Sequence, residues 1–226
     1  MDNPPFVHFT LTSKMGRPIP SWSLPAAMCQ TGQSLRRDVT RPNVCRACYA
    51  QIGPMQFPNT QELLYANWEG YAATPEAWVK EISRLINTEL NCVYFWLFSS
   101  GDAQSSQMFF DIDEVAARCK NTFFWLPTQE HGFLAEAIAA GLKPRKNLNI
   151  RLSRHEVDST ESVAFPGTTE SVVVYHNHHT CPAHKNNGKC GACRACWNKK
   201  QKLVAYPLKV GDNYWPLETA KRLGLV

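Results

Sequence analysis

Strand-like and helix-like segments alternate through the middle of this chain, and their order constrains the fold more than any other feature. The run from Cys92 to Phe98 (CVYFWLF) is continuously apolar and aromatic, as in strands buried on both faces. Three later runs also have strand character: Thr122 to Leu126, Leu148 to Leu152 and Ser171 to Tyr175. This alternation predicts a parallel sheet with right-handed crossovers, either part of a barrel or an open doubly wound sheet.

The segments between these strands carry helix boundary signals. Thr74, Pro75 and Glu76 combine a capping hydroxyl, a proline suited to a first turn and an acid near the positive end of a helix dipole. Apolar residues then recur at helical spacing. A later helix is predicted from Phe133 to Ala140, closed by Gly141.

Length and composition predict a single domain over residues 1–226. The chain has 226 residues and is 44% hydrophobic, which is enough for one substantial core. Phe6 to Thr12 alternates apolar and polar side chains and predicts a strand, and the fifty residues after it are predicted to form a long functional loop. No secretory start and no apolar run of about 20 residues is present, so we expect a soluble cytoplasmic protein without membrane contact.

Nine cysteines are present, and seven of them fall into two groups. Thiols remain reduced in a cytosol, so grouped cysteines indicate metal ligands rather than disulfides. The groups define two predicted cysteine-rich loops, at about 20–60 and 176–202. The other two, Cys92 and Cys119, are predicted to be small apolar core residues.

The later group is the run Cys190, Cys193 and Cys196, with Cys181 upstream as a candidate fourth ligand. Three closely spaced thiolates and one distant cysteine are a common way to hold a [4Fe–4S] cluster, which is the cofactor that this spacing favours. Four thiolates also bind zinc tetrahedrally, so zinc is the alternative. Nearby imidazoles are further candidate ligands: His176, His178, His179 and His184.

The earlier group comprises Cys29, Cys45 and Cys48. These residues could supply three ligands of a second cluster or half of a site shared with the later group. They could also form a small zinc site with a histidine such as His8 as the fourth ligand. The spacing alone does not choose among these arrangements.

Polar residues follow several predicted strands where loops of a parallel sheet gather around one crevice. Ser100, Gly101 and Asp102 follow one strand and are the candidate cofactor-binding residues, because glycine permits close backbone approach and a carboxylate accepts hydrogen bonds. Asp102 could instead cap the next helix. Other strand-end candidates are Thr128, Gln129, Glu130, Ser153, Arg154, His155 and Glu156, with Arg151 and Arg154 able to hold a carboxylate or phosphate.

The formal net charge is +5, and basic residues concentrate around the later cysteines. They are Lys185, Lys189, Arg194, Lys199, Lys200 and Lys202. Such a basic loop could contact nucleic acid, although a solvated face gives the same pattern.

Three motifs together resemble a known family. They are a CxxC followed by Tyr-Ala (Cys45 to Ala50), a strand ending in Ser100 to Asp102, and a late CxxCxxC followed by Trp197. This combination resembles the bacteriophage family labelled gene product eighty-eight, which implies a phage-infected host cell as the location. That family has a distant likeness to radical S-adenosylmethionine enzymes.

The likeness implies an α/β fold with a partial (β/α) barrel, a mostly parallel sheet and cysteine-rich loops. It also implies cluster cysteines after the first strand, with Ser100, Gly101 and Asp102 where those enzymes carry a Gly-Gly-Glu type motif beside S-adenosylmethionine. The chain departs from their CxxxCxxC arrangement, because Cys29 lies far from Cys45.

Three functions follow as hypotheses. The first is an iron–sulfur cluster-binding protein with an electron-transfer or redox role and a redox partner. The second is a radical S-adenosylmethionine enzyme. The third is a zinc-stabilised nucleic-acid-binding module. Both cysteine groups are expected at the same end of one barrel, and the sequence does not decide whether the protein is an enzyme.

Overall fold

A seven-stranded sheet forms the centre of the computed structural model, which describes residues 7–12, 15, 18–175, 179–210, 213 and 214. Its strands are β1 (Phe9–Thr12), β2 (Ile19–Trp22), β3 (Tyr94–Leu97), β4 (Phe123–Thr128), β5 (Leu148–Ser153), β6 (Thr169–Val174) and β7 (Leu203–Pro207). A separate antiparallel pair consists of β8 (Lys209–Val210) and β9 (Asn213–Tyr214).

α-Helices follow β2, β3 and β4. The α-helices in the described ranges are α1 (Gln30–Arg37), α2 (Pro58–Ala73), α3 (Pro75–Leu85), α4 (Ser106–Arg118) and α5 (His131–Ala139). Short 3-10 turns cover Ala26–Met28, Val44–Ala47, Tyr49–Gln51, Gly53–Gln56, Pro182–Asn186 and Ala195–Trp197, and a π-helical turn, Ile86–Leu90, continues α3. Across the described ranges, none of the helices has the length and apolar character that a membrane crossing requires.

The strands lie in the sheet in the same order as in the chain. β1 pairs antiparallel with β2, and every later neighbouring pair is parallel. A doubly wound sheet reverses its strand order at a switch point, whereas the described order does not reverse. The mostly parallel α/β sheet is therefore confirmed, and its curvature into a partial barrel stays a prediction.

One face of the sheet packs against α2 to α5, and we call it the helix face. With right-handed crossovers, an unreversed strand order brings the connecting helices to the same face. The core between them contains buried side chains from every layer: Trp22, Phe95, Phe124 and Ile150 from the sheet, Tyr71 and Trp78 from α2 and α3, and Phe109 and Leu134 from α4 and α5. Burying each such side chain contributes about 1.5–3 kcal/mol, so this core carries most of the stability.

The opposite face is covered by the loops that contain the two cysteine groups, and we call it the loop face. Successive side chains of a strand point to opposite faces, so the residues between the core positions point here. They include Ser21, Trp96, Trp125, Asn149, Arg151, Ser171 and Tyr206. Some of the polar ones are bonded to a neighbouring strand, as where the Thr169 hydroxyl donates to Asn149 Oδ1 at 2.9 Å, and others are bonded to the covering loops.

The amino-terminal region differs from its prediction. The predicted strand from Phe6 to Thr12 is β1, which begins at Phe9, and Phe6 lies outside the described residues. The stretch expected to be a long loop contains β2, α1 and α2. β2 escaped detection because its sequence, IPSW, is short, contains a proline and has no alternation, although all four residues are buried by tertiary contacts.

Candidate functional site

Cys29, Cys45 and Cys48 all line one cavity, and we call them the outer cysteine site. Cys29 lies between the turn after β2 and the start of α1, while Cys45 and Cys48 lie in the next turn, after α1. The cavity has a volume of about 320 Å³ and opens at the carboxyl ends of β3, β4 and β5. Three cysteines that are well separated along the chain thus face a common space.

Gly32, in the first turn of α1, leaves room for two of these thiols. A Cβ atom at this position would lie 3.8 Å from Cys29 Sγ and 3.7 Å from Cys45 Sγ. The same atom would crowd Cys29 Cβ at 2.9 Å. Both sulfurs therefore approach one point, which a side chain on α1 would fill.

Asn43 ties α1 to the turn that carries Cys45. Its buried amide nitrogen donates to Leu35 O at 2.8 Å and to Asp38 O at 3.1 Å, which covers carbonyls at the end of α1. Its amide oxygen accepts from Arg46 N at 3.2 Å and caps the turn. One side chain thereby sets the position of the CxxC segment relative to α1.

The predicted cofactor residues Ser100, Gly101 and Asp102 line the same cavity as the outer cysteine site. Gly101 has φ +76°, and a Cβ atom there would lie 2.5 Å from Leu24 O, so no larger residue fits without movement. Phe98, also on the cavity wall, has a left-handed φ of +59°. Non-glycine residues in this conformation are strained, and such strain is concentrated at functional sites.

Asp102 holds two strand ends together. Its carboxylate accepts from Thr128 Oγ1 and from Gln129 N, both at 2.6 Å, and from Ala103 N at 2.8 Å. Burial raises the pKa of Asp102 to about 7 even though these hydrogen bonds favour the charged form. The alternative that Asp102 caps the next helix is wrong, because the Ser105 hydroxyl caps α4 by accepting from Met108 N.

Two buried polar atoms on this wall have no hydrogen-bond partner among the described residues. They are Ser100 Oγ and Gln129 Oε1, both from residues that line the cavity. Unpaired buried polar groups cost about 1–3 kcal/mol each, which makes them candidates for contact with a ligand or ordered water. The outer cysteine site therefore adjoins a space with free hydrogen-bonding capacity.

Burial dominates the ionisation of the outer thiols. It raises the pKa of Cys45 to about 12 and raises the pKa values of Cys29 and Cys48 as well. Smaller increases at Cys29 come from Asp102, the neighbouring thiols and Glu130. Because metal ligation requires thiolates, metal binding here would release protons.

Cys181, Cys190, Cys193 and Cys196 lie in the loop between β6 and β7, and we call them the inner cysteine site. Cys181 N donates to Ala205 O of β7 at 3.0 Å, and Cys193 N donates to Cys190 O at 3.0 Å. Burial raises the pKa of Cys196 to about 12, and the thiols of Cys181 and Cys190 lie close enough to contribute. The thiols of Cys181, Cys190 and Cys196 thus lie near one another, and Cys193 belongs to the same turn as Cys190.

The inner loop is fixed to the amino-terminal part of the loop face. Asn149 Nδ2, on the second residue of β5, donates to Cys196 O at 2.8 Å. Trp197 Nε1 donates at 2.9 Å to the carbonyl of Phe95, the second residue of β3. The sequence predicts both cysteine groups at the same end of the sheet. The structure differs, because the inner loop crosses the sheet face instead of remaining above the strand ends.

Arg151 and Tyr206 reach the inner site from the sheet. Arg151 is fully buried and donates at 3.0 Å to Ala195 O, next to Cys196. The Tyr206 hydroxyl lies 3.1 Å from Cys196 Sγ, and Tyr206 also lines the cavity of the outer site. Tyr206 therefore touches both regions.

The remaining candidate residues lie in several places. Among the histidines, His179 Nδ1 is 3.1 Å from Cys181 O and its ring is 5.0 Å from that of His184, whereas His176 and His178 lie outside the described residues. The backbone of His8 is held by Asn67 of α2.

Cys119 is buried in the helix-face core, and Cys92 packs against it. In the part of the chain that is described, no three His, Cys, Asp or Glu side chains form a group that could hold a metal ion.

The basic loop is partly used for internal contacts. Arg194 stacks over the Tyr94 ring at 5.2 Å and donates to Gly191 O, and Lys199 donates to the carbonyls of Pro144 and Arg145. The exposed members are Lys185, Lys189, Lys200 and Lys202. Arg154, a predicted anion ligand, instead pairs with Glu170 at 3.4 Å.

Three positioning residues were missed from the sequence. Gly32 could have been suspected, because a glycine inside a helix that follows a candidate ligand is costly without a packing reason. Asn43 could have been suspected as a cap, because asparagine favours this position and its partners lie within eight residues. Tyr206 contacts Cys196 of the preceding loop, and nothing in its sequence neighbourhood indicates that contact.

Comparison with known proteins identifies a family match over most of the chain. A family model described as Gene product 88 matches residues 8–199. This range includes both cysteine sites, the Ser100–Asp102 segment and Trp197. No curated protein and no solved structure matches.

Proposed function

This chain belongs to the bacteriophage family described as Gene product 88, and we propose that it is an iron–sulfur protein with a redox role. In this proposal the outer cysteine site supplies three thiolates to one [4Fe–4S] cluster and the inner cysteine site supplies four to another. When bound, each cluster provides a one-electron redox centre.

The convergence of the outer thiols on one cavity carries this proposal. Cys29 Sγ and Cys45 Sγ lie around the point that Gly32 leaves open, and Cys48 lines the same wall. A cubane cluster occupies the space between its ligands, so its cysteines surround a cavity rather than a single point. The donor set is also suitable, because thiolates are the usual ligands of iron–sulfur clusters.

The buried guanidinium of Arg151 supports an anionic metal–thiolate group at the inner site. All the acceptors that the described residues offer to it are backbone carbonyls: Glu170 O, Ala195 O and Gln201 O. A fully buried cation is costly unless a negative charge lies nearby. Cysteine thiolates that bind metal would supply that charge next to Cys196.

Anaerobic metal and sulfide analysis of the full chain tests the proposal. We expect a brown protein that contains iron and acid-labile sulfide in similar amounts and gives an electron paramagnetic resonance signal after reduction. A preparation with zinc and no sulfide would contradict the proposal. It would favour a zinc-stabilised module, whose binding to nucleic acid through the exposed lysines would weaken steeply with added salt.

Single-cysteine variants assign the ligands. Cys45→Ala and Cys196→Ala should each remove about half of the iron, because each disrupts one of two sites. Cys92→Ala is the matched control and should retain all of it, because Cys92 packs against the helix-face core. Full iron retention in both Cys193→Ala and Cys196→Ala would exclude the inner site.

A second candidate function, that of a radical S-adenosylmethionine enzyme, is favoured by the cavity beside the outer site. Three cysteine ligands leave one iron of a cubane without a protein thiolate, and Ser100 Oγ and Gln129 Oε1 offer hydrogen bonds beside it. Reduced protein should then change its paramagnetic spectrum when S-adenosylmethionine is added, and Cys196→Ala should keep that change. An unchanged spectrum would exclude this activity and leave the redox protein.

A further inference from the structure

The two cysteine sites differ in the charged groups beside them: a buried cation adjoins the inner site, whereas carboxyl groups as well as Arg36 and Arg154 adjoin the outer site. Within the described residues Arg151 forms no ion pair with a carboxylate, and its side chain is inaccessible to solvent. It binds Ala195 O at 3.0 Å and Gln201 O at 3.0 Å, and these two carbonyls flank Cys196 and Trp197 along the loop. A full positive charge is thereby held beside the inner site.

Tyr206 adds a hydrogen-bond donor to the same site. Its hydroxyl oxygen lies 3.1 Å from Cys196 Sγ. A metal-bound thiolate has no proton to give, so the hydroxyl must donate when Cys196 is a ligand. A hydrogen bond to a ligand sulfur stabilises additional negative charge on the cluster that it holds.

Carboxyl groups stand beside the outer site instead. Glu130 is fixed by Thr31, two residues after Cys29; its Oε1 accepts from Thr31 N at 2.9 Å and its Oε2 from Thr31 Oγ1 at 2.6 Å. Asp102 lines the cavity together with the three cysteines. Negative charge on these groups disfavours the addition of an electron nearby.

We propose that Arg151 and Tyr206 hold the reduction potential of an inner cluster above that of an outer cluster, so that the inner cluster is reduced first. This inference rests on the proposed function. Each reduction adds one electron, and therefore one negative charge, which an external one-electron donor supplies. The cation and the donor stabilise that charge at the inner site, whereas the carboxylates oppose it at the outer site. The inner cluster then serves as the electron store of the protein.

A redox titration of the full chain, followed by electron paramagnetic resonance at pH 8, tests this order. Dithionite is the reductant. Cys45→Ala and Cys196→Ala each remove one reduction step and so assign both steps. We expect the step lost in Cys196→Ala to have the higher potential. Tyr206→Phe should lower the potential of that step by about 59 mV, a tenfold shift toward the oxidised form, with unchanged iron content. It should move the outer step less, because the Tyr206 hydroxyl contacts Cys196 Sγ directly and only lines the outer cavity.

Two further variants separate an electrostatic effect on the reduction potential from an effect of lost structure. Tyr65→Phe alters an exposed tyrosine on α2 and should change neither step. Arg151→Lys keeps the charge but loses the planar fork, and we expect a smaller downward shift than in Tyr206→Phe together with weaker retention of iron. Two iron-loaded sites with an inner step below the outer one, or with no shift in Tyr206→Phe, would overturn this inference alone. Absence of iron would overturn the proposed function and this inference with it.

Discussion

Gly101 joins the end of β3 to the cavity wall with almost no space around its Cα atom. The carbonyl of Leu24, in the neighbouring segment after β2, lies 2.5 Å from the place where a Cβ atom would be, and Leu24 N donates to Ser100 O at 3.0 Å. The positive φ of Gly101 is a second reason for glycine. Glycine is therefore required here by the path of the backbone.

We expect Gly101→Ala to destabilise the protein by more than about 1 kcal/mol, because both the conformation and the space exclude a methyl group. Denaturant unfolding under anaerobic conditions measures this loss. Gly132→Ala is the matched control, since Gly132 lies in α5 with nothing within 4 Å of its Cβ position. That change should be neutral or stabilising. Equal stability of the two variants would show that the backbone around Gly101 moves enough to accommodate the methyl group.

At this scale the sequence indicates candidate residues by their chemistry, and these stay predictions, whereas it does not indicate what the residues touch. The candidate ligands and the Ser100–Asp102 segment were found because their chemistry is visible in the residue types. The missed residues, Gly32, Asn43 and Tyr206, matter through partners in the helix ends, turns and loops beside them. Residue type alone does not encode those partners.

Helix α1 is the element that brings the separate cysteines of the outer site together. Cys29 precedes it and Asn43 closes the connection after it, so the length of α1 determines where Cys45 returns. Gly32 lets the helix lie against both thiols. The spacing between Cys29 and the CxxC pair is longer than in a CxxxCxxC arrangement. In the structure, this spacing is taken up by α1 and by the turn that Asn43 caps.

Asn43→Ala should loosen this arrangement without removing a ligand. Loss of a buried amide that serves several backbone groups is expected to cost about 1–3 kcal/mol. We expect faster loss of iron to a chelator, followed as the decay of visible absorption. Asn87→Ala removes an exposed amide on the turn after α3 that bonds to Arg118 O and Cys119, and it should leave the rate unchanged. If both variants lose iron at the wild-type rate, Asn43 does not position the outer site.

At the scale of the whole molecule, the two faces of the sheet are stabilised by different interactions. The helix face is packed with large apolar side chains. The loop face combines a smaller aromatic cluster around Trp96, Trp125 and Trp197 with hydrogen bonds and, in our proposal, metal ligation. Removal of the metal should therefore affect the two faces unequally, because the apolar core does not depend on it.

We expect the amides of residues 26–52 and 181–201 to exchange at least about tenfold faster after anaerobic removal of iron. Amides of β3 to β5 and of α3 to α5 should remain protected, since they belong to the helix-face core. Hydrogen exchange followed by mass spectrometry compares the two states, with mock-treated protein as the control. A uniform increase across the chain would mean that the metal sites support the entire fold.

The sequence by itself determined the α/β class, the parallel strands from β3 to β6 and the two sets of cysteines, because apolar periodicity and ligand chemistry are local properties. Only the tertiary structure decided that β2 is a strand, that the outer cysteines share a cavity and that the inner loop crosses the sheet. These outcomes depend on burial by distant segments, as in β2, and on long-range bonds such as that from Trp197 to Phe95 O. No window of the sequence contains both partners of such a contact.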